Sequence, residues 1–572
     1  MKGLLVMRKI AALIAALVLA GFASTIGAGP AMASSGEGAT ALIQGSGSTW
    51  AANAVNQWIA DVHSSGLDVV YSGVGSAQGR QDFANKNVDF AVSDIGYQGV
   101  DPATGASDTS QGRSFAYLPI VAGGTSFPYH ISDGPTLVNN LRLSGETIAK
   151  IFTNQITNWD DPEITKDNNG RKLPNLPIIP VVHSEGSGDT AQLTRYLATE
   201  YPNIWDPFDS GLTTFTEYFP RAGNQVAENG SDSVMNFISG GSGNGAIGYD
   251  EYSYALNAGY PVAKMLNQAG YFTLPDQYNV AVALTKAKIN NHKNSQNYLL
   301  QNLNKVYVAK DKRTYPLSSY SYMIIPTGTD CGSTNPPGCE SKMTTAKRQT
   351  LADYLYYSIC QGQAEMGHLG YSPLPINLVE AGFSQIGKLH QADSGVDLNK
   401  ENVSTCHNPT FIAGEPNVNH LAQIAPEPPS CDKVGNGPCT TANSGTGPPP
   451  GSRGPGGGKK GSGGNGGGSQ TSGGGGPSPT NSTGPGSSQT GGQTTGAGGT
   501  GGTTTIDPNT GQPVTTSQGG GAILGAQTDV AATQGKDLDT ILAALAGVLL
   551  VVLLIGPPIL WQRLAERRGH GS

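Results

Sequence analysis

VVHSEGSGDTAQ, Val181 to Gln192, is the stretch where the chain turns from one kind of structure into another. A β-branched pair leads to His183, and Gly186-Ser187-Gly188 then opens onto Asp189-Thr190 and a run with helical spacing. A strand that exits through Gly-Ser-Gly into a helix start brings backbone N–H groups together at Ser187, Gly188 and Asp189, which makes a socket for an anion. The same stretch carries two carboxylates, Glu185 and Asp189, and no arginine. Its backbone invites an anion while its side chains oppose one.

Outward from this point the pattern repeats. LDVVYSGV, VDFAVSD, AYLPIVAGG, LPIIPVV, GAIGY and YMIIP read as strands, and SAQGRQDFANKN, SGETIAKIFT, TAQLTRYLATEY and AKRQTLADYLYYSICQGQ as helices. Strands followed by helices predict an α/β fold with mixed, largely parallel sheets covered on both faces. The length from Leu42 to Gly382 exceeds one comfortable core, so two lobes are expected. Ligands in such folds sit beyond the carboxyl ends of the strands. Three further strand exits share the logic of the first: GSGSTWAANAV with Thr49 and Trp50, SGVGSAQGRQDF with Ser76, and FAVSDIGYQ with Ser93 and Asp94.

In chain order, GSGSTW, YSGVGSAQG, VDFAVSD, LSGETIAKIFTNQITNWDDPEI, PVVHSEGSGDT, GAIGYDEYSYA, YPLSSYSYMIIPTG and GYSPLP resemble the phosphate-binding proteins of the phosphate-specific ABC transporters. The resemblance spans Leu42 to about Gly382. It implies a type II periplasmic-binding-protein fold, two lobes joined by crossover strands, closing around phosphate for delivery to an ABC permease. It also implies that Thr49, Trp50, Ser76, Asp94, His183, Ser187, Gly188 and Asp189 surround the oxyanion. Asp94 would accept a hydrogen bond from a protonated phosphate oxygen, a bond that fully ionised sulfate cannot donate.

The family pattern before Gly-Ser-Gly is usually Arg-x-Asp; here those places hold His183 and Glu185. The usual phenylalanine is Trp50, and the threonine after the second glycine is Asp189. Two compensations for the missing cation are open. Glu185 can hold His183 in its charged form, or Arg80, on the helix begun at Ser76, can turn inward.

Composition sets the surroundings. The 572 residues include 81 clustered glycines, only 13% are charged, and the net charge is −8, which argues against nucleic acid as a partner. Lys2, Arg8 and Lys9 before IAALIAALVLAGFA, with AMA at 31–33, form a secretory signal over residues 1–33. The two-lobe domain is expected over 41–383, a cysteine-containing extension over 384–439, and a disordered Gly/Ser/Thr/Pro-rich linker over 440–529. ILAALAGVLLVVLLIGPPILW, 541–561, has the length of a transmembrane helix and precedes Arg563, Arg567 and Arg568. The tail 562–572 is then cytoplasmic, and the domain is anchored at the extracellular face of the membrane.

Six cysteines suit an oxidising compartment. Cys331 and Cys339 bracket GSTNPPG, and Cys431 and Cys439 bracket DKVGNGP, so each pair can close a local loop and leave Cys360 to Cys406. Fifteen connectivities are formally open. The nine histidines form no H-x-H or H-E-x-x-H cluster, and the cysteines form no paired C-x-x-C, so neither metal nor cofactor is expected. No nucleophile elbow or metal cluster suggests an enzyme. The competing reading is a non-transport surface sensor or adhesion protein that retains the fold.

Overall fold

The computed structural model describes residues 40–210, 212, 214–399, 402–412 and 414–439, with the backbone of two further strands. The signal 1–33, most of the linker 440–529, the apolar run 541–561 and the tail 562–572 lie outside the described residues. Among the described residues no helix is long and apolar enough to cross a membrane. Within the linker, expected to lack secondary structure, Thr503–Ile506 and Pro513–Thr516 form a two-stranded sheet. The local cause lies in the sequence, since TTTI and PVTT are rich in β-branched residues and flank DPNTGQ, which has the Pro, Asn and Gly of a turn.

The first lobe starts with strand Ile43–Gly47, which lies between Val69–Gly73 and Phe90–Ser93 and runs parallel to both. Parallel neighbours need crossovers. Helices Ala52–His63 and Ser76–Ala84 provide them. Two long strands, Phe115–Ser126 and Ser318–Pro326, complete the sheet with antiparallel pairing to each other, and the second also pairs antiparallel with Phe90–Ser93. The six strands therefore run Asp250–Glu251, Phe115–Ser126, Ser318–Pro326, Phe90–Ser93, Ile43–Gly47, Val69–Gly73. This sheet is mixed rather than largely parallel. The reason is that AYLPIVAGG and YMIIP are buried throughout, and a continuous apolar run does not encode strand direction.

Past Ser126 the chain builds a second lobe around Ile179–His183, flanked in parallel by Val226–Glu228 and Ala246–Gly248. Helices Gly188–Glu200 and Gly230–Ser239 follow the first two of these strands. The chain returns at Asp250–Glu251, which pairs antiparallel with Thr125 and Ser126. Outgoing and returning crossings thus lie side by side, and Asp250 sits on the second.

The expected boundary at 383 falls inside helix Ile376–Ala392, so the cysteine-containing extension continues from the last helix of the fold. The six cysteines pair as Cys331–Cys339, Cys360–Cys406 and Cys431–Cys439. The extension is held by buried polar anchors as well: Lys264 Nζ meets Asp432 Oδ2 at 2.7 Å, and Asn408 Nδ2 donates to Leu374 O at 2.8 Å.

Candidate functional site

Because Ile43–Gly47, Val69–Gly73 and Phe90–Ser93 are parallel, their carboxyl ends lie along one edge, and the loops that leave them converge. Asp94, 2% exposed, stands at the centre. Its Oδ2 accepts hydrogen bonds from Ser48 Oγ at 2.7 Å and Ser76 Oγ at 3.1 Å, and its Oδ1 accepts one from Ser321 Oγ at 2.6 Å. Burial raises its pKa above the usual carboxylate value, against the pull of the three serines and Arg80.

The second lobe meets this edge directly. A Cβ at Gly188 would lie 2.1 Å from Asp94 Oδ2 and 2.5 Å from Ser76 Oγ, so only glycine fits there. Ala77 N donates to Gly186 O at 3.0 Å, and Gln192 Nε2 donates to Asp94 O at 2.8 Å. Ser231 Oγ reaches Thr49 Oγ1 at 3.1 Å. The cleft is shut on these contacts. The convergence of free N–H groups expected at the Gly-Ser-Gly turn is modified: Ser187 N donates to Glu217 O at 2.9 Å, and Asp189 N to Ser187 Oγ at 3.2 Å. Ser187 caps its own helix, as its N-cap position favours. Trp50 packs edge-on against Tyr371, and its buried Nε1 has no acceptor.

His183, where the resemblance implies a cation, is buried at its strand end. Its Nδ1 lies 2.8 Å from Glu185 Oε1, whose partner oxygen Oε2 accepts from Gly230 N at 3.0 Å. Burial works against a charged imidazole, but the carboxylates of Glu185, Asp250 and Asp189 outweigh it and raise the ring to about 10. Burial likewise opposes ionised Glu185, and the His183 charge reverses the effect and lowers its pKa. His183 and Glu185 form an ion pair. Asp189 contributes least of the three: burial raises its own carboxyl against the pull of the His183 charge, with Thr125 Oγ1 bonded to its Oδ1. Burial also raises Asp250 and Glu251 well above the ordinary carboxylate value.

Arg80 is neither solvated nor turned into the cleft as a spare cation. It is fully buried, with Nε donating to Asp108 at 3.0 and 3.1 Å, Nη1 to Ser93 Oγ at 3.0 Å, and Nη2 to Glu217. Two carboxylates neutralise it. Since Glu217 belongs to the second lobe, Arg80 acts as a strut across the cleft, and its neighbour Gln98 shares the same Glu217 oxygen at 3.1 Å.

A family model described as PBP superfamily domain matches residues 33–361, more than half of the chain. The chain belongs to this superfamily. Among similar curated proteins, phosphate-binding protein PstS 2 of Mycobacterium tuberculosis is 29% identical over 367 residues, covering 62% of this chain and 88% of its own length. Phosphate-binding protein PstS of Methanocaldococcus jannaschii is 26% identical over 401 residues, covering 67% and 97%. Of solved structures, a DING protein crystal structure aligns with 21% identity and a TM-score of 0.45 over 62% of this chain and 99% of that one.

Within this superfamily fold, several residues of the cleft escaped sequence reasoning. Ser48 and Ser321, which hold Asp94, come from the exit of strand Ile43–Gly47 in GSGSTW and from strand Ser318–Pro326 in the distant YPLSSYSYMIIPTG segment; a lone serine at either place carries no signal of its own. Asp108, in the short strand Ser107–Asp108, and Glu217, in a loop, are isolated acids, meaningful only once Arg80 lies between them. Asp250 and Glu251 stand in GAIGYDEYSYA, a segment that the resemblance marked without assigning them a role.

Proposed function

We propose that the cleft binds inorganic phosphate, or a closely related protonated oxyanion, and that this chain is a solute-binding protein that passes it to an ABC-type permease. One observation carries the reading: Asp94, a buried carboxylate held by three serine hydroxyls, lies against Gly188 at the helix start of the opposite lobe. A carboxylate there accepts the proton of a phosphate oxygen and repels an anion that has none. Serine hydroxyls can rotate to donate to the remaining oxygens. The relatives' names as phosphate-binding proteins support the same substrate, and as binding proteins rather than enzymes. Thr49, Trp50, Ser76, Ser187 and Gly188 are the residues assigned to the ligand, with His183 held charged by Glu185 in the arginine's place.

The domain stands at the outer face of the membrane, exported by residues 1–33 and anchored by 541–561; the sequence pattern of those two segments supports this placement. Calorimetry on the full chain tests the ligand. Wild type is expected to bind phosphate and to reject sulfate. Asp94→Asn, which turns an acceptor-only group into a partial donor, should weaken phosphate binding by at least about tenfold, given roughly 1.5–3 kcal/mol for a hydrogen bond to a charged group. It should also narrow the preference over sulfate. No phosphate binding at millimolar concentration would overturn the proposal.

A further inference from the structure

Three side chains from separate parts of the sequence meet where the two lobes join. They are His183 at its strand end, Asp189 in the first turn of helix Gly188–Glu200, and Asp250 on the returning crossing. One ligand-capable atom from each lies within 4.8 Å of the other two, and all three residues are buried. Asp189 Oδ2 and Asp250 Oδ2 have no hydrogen-bond partner. The other oxygen of Asp189 accepts from Thr125 Oγ1, and the Asp250 carboxyl is engaged by Glu251 N, at 2.8 Å to Oδ1, and by the Ser231 hydroxyl. Two buried, unpartnered carboxylate oxygens beside one imidazole are a costly arrangement unless something positive lies among them.

The imidazole narrows what that is. Glu185 accepts from Nδ1, which leaves Nε2 facing Tyr249 O at 3.3 Å and Asp189 Oδ2 at 3.8 Å. A lone pair aimed at two acceptors is repulsive, so Nε2 calls for a proton or a metal. A proton there serves one acceptor and leaves Asp250 Oδ2 unpartnered. A cation engages Nε2 and both orphaned oxygens together. Glu185 then plays the part of the outer carboxylate that orients a metal-bound histidine.

We propose that His183, Asp189 and Asp250 bind a divalent transition-metal cation of the manganese or zinc class, which displaces the Nε2 proton of the charged imidazole to solvent, and that this cation, in place of the imidazolium, supplies the positive charge on which an oxyanion in the cleft is held. One imidazole and two carboxylates suit such ions, and three protein ligands leave positions open for oxygens of the anion. The second half of the proposal rests on the oxyanion reading above; the first does not. Spacing along the sequence concealed the site, because residues 183, 189 and 250 form no local motif.

The test separates the two halves. The full chain, stripped with chelator, is titrated with Mn2+ alone by electron paramagnetic resonance and with Zn2+ alone by calorimetry. One equivalent of at least one cation is expected to bind with a micromolar or tighter Kd. His183→Gln and Asp250→Asn should each weaken it at least tenfold. Asp250→Asn keeps the side-chain shape and an oxygen to accept from Glu251 N, so its metal-free form should melt within a few degrees of wild type, which checks that it folds. Absence of stoichiometric binding of both cations to wild type overturns the site, as does binding that both variants leave unchanged. Phosphate is then titrated with and without Mn2+. An affinity gain of tenfold or more in wild type, absent in Asp250→Asn, supports the second half. Phosphate binding that is indifferent to Mn2+ overturns the second half while leaving the oxyanion reading intact, and phosphate binding absent under both conditions sinks the oxyanion reading without touching the metal site.

Discussion

Replacing Gly188 by alanine isolates closure of the cleft from folding of its lobes. The new Cβ would sit 2.1 Å from Asp94 Oδ2, about 1.3 Å inside the 3.4 Å at which ordinary contact begins. Asp94 cannot swing aside cheaply, because Ser48, Ser76 and Ser321 fix both its oxygens. Gly188 is not among the glycines with positive φ, so alanine suits the backbone and favours the helix start by up to about 1 kcal/mol. The clash therefore falls on approach of the lobes. Overpacking of this kind costs about 1–3 kcal/mol, which predicts phosphate binding weaker by about 5- to 150-fold. Small-angle scattering should show a larger radius for Gly188→Ala at saturating phosphate than for wild type, while the thermal midpoint without phosphate stays within a few degrees. Gly241→Ala, where a Cβ meets nothing within 4 Å, is the matched control. Wild-type affinity and an unchanged radius in Gly188→Ala would refute the packing argument.

Two further outcomes follow from buried charges. Arg80→Met leaves Asp108 and Glu217 without their shared cation, and urea denaturation should show a loss of about 3–5 kcal/mol; a loss under about 1 kcal/mol would show that the strut contributes little. Asp276 caps helix Gln277–Leu284 through bonds from Tyr278 N and Asn279 N, and burial pushes this partly exposed residue's carboxyl up to about 6 from 3.8. A raised folded pKa means that its contribution to stability is full below pH 3.8 and lost as pH rises through about 6. Asp276→Asn keeps a capping side chain and removes the titration, so wild type should lose stability relative to the variant across that window; parallel stability curves from pH 4 to pH 7 would contradict it.

The sequence by itself determined the alternation of strand and helix, because hydrophobic period, Gly-Ser turns and capping residues act over a few neighbours. SAQGRQDFANKN forms helix Ser76–Ala84, and LPIIPVV leads into strand Ile179–His183. The loops at Thr49, Ser76, Asp94 and Ser187 were legible for the same reason. So was the pairing of cysteines across two short loops, where proximity along the chain dictates proximity in space. Strand direction in the first sheet was not legible, since Phe115–Ser126 and Ser318–Pro326 are buried on both faces and carry no alternation to fix it. Nor were the distant partners of the cleft's charges. Arg80 lies 137 residues from Glu217, and Ser321 lies 227 from Asp94; each pair exists only because the lobes and the central strands fold back on one another. An arginine on a helix reads as solvated until burial strips its water and two carboxylates replace it. The pairing of His183 with Glu185, two residues away, was legible, whereas Asp250 joins them only through the returning crossing. Local chemistry is written residue by residue, whereas the sign of the charge in the cleft is a sum over groups that only tertiary packing brings within a few ångströms, where low polarisability makes each one count.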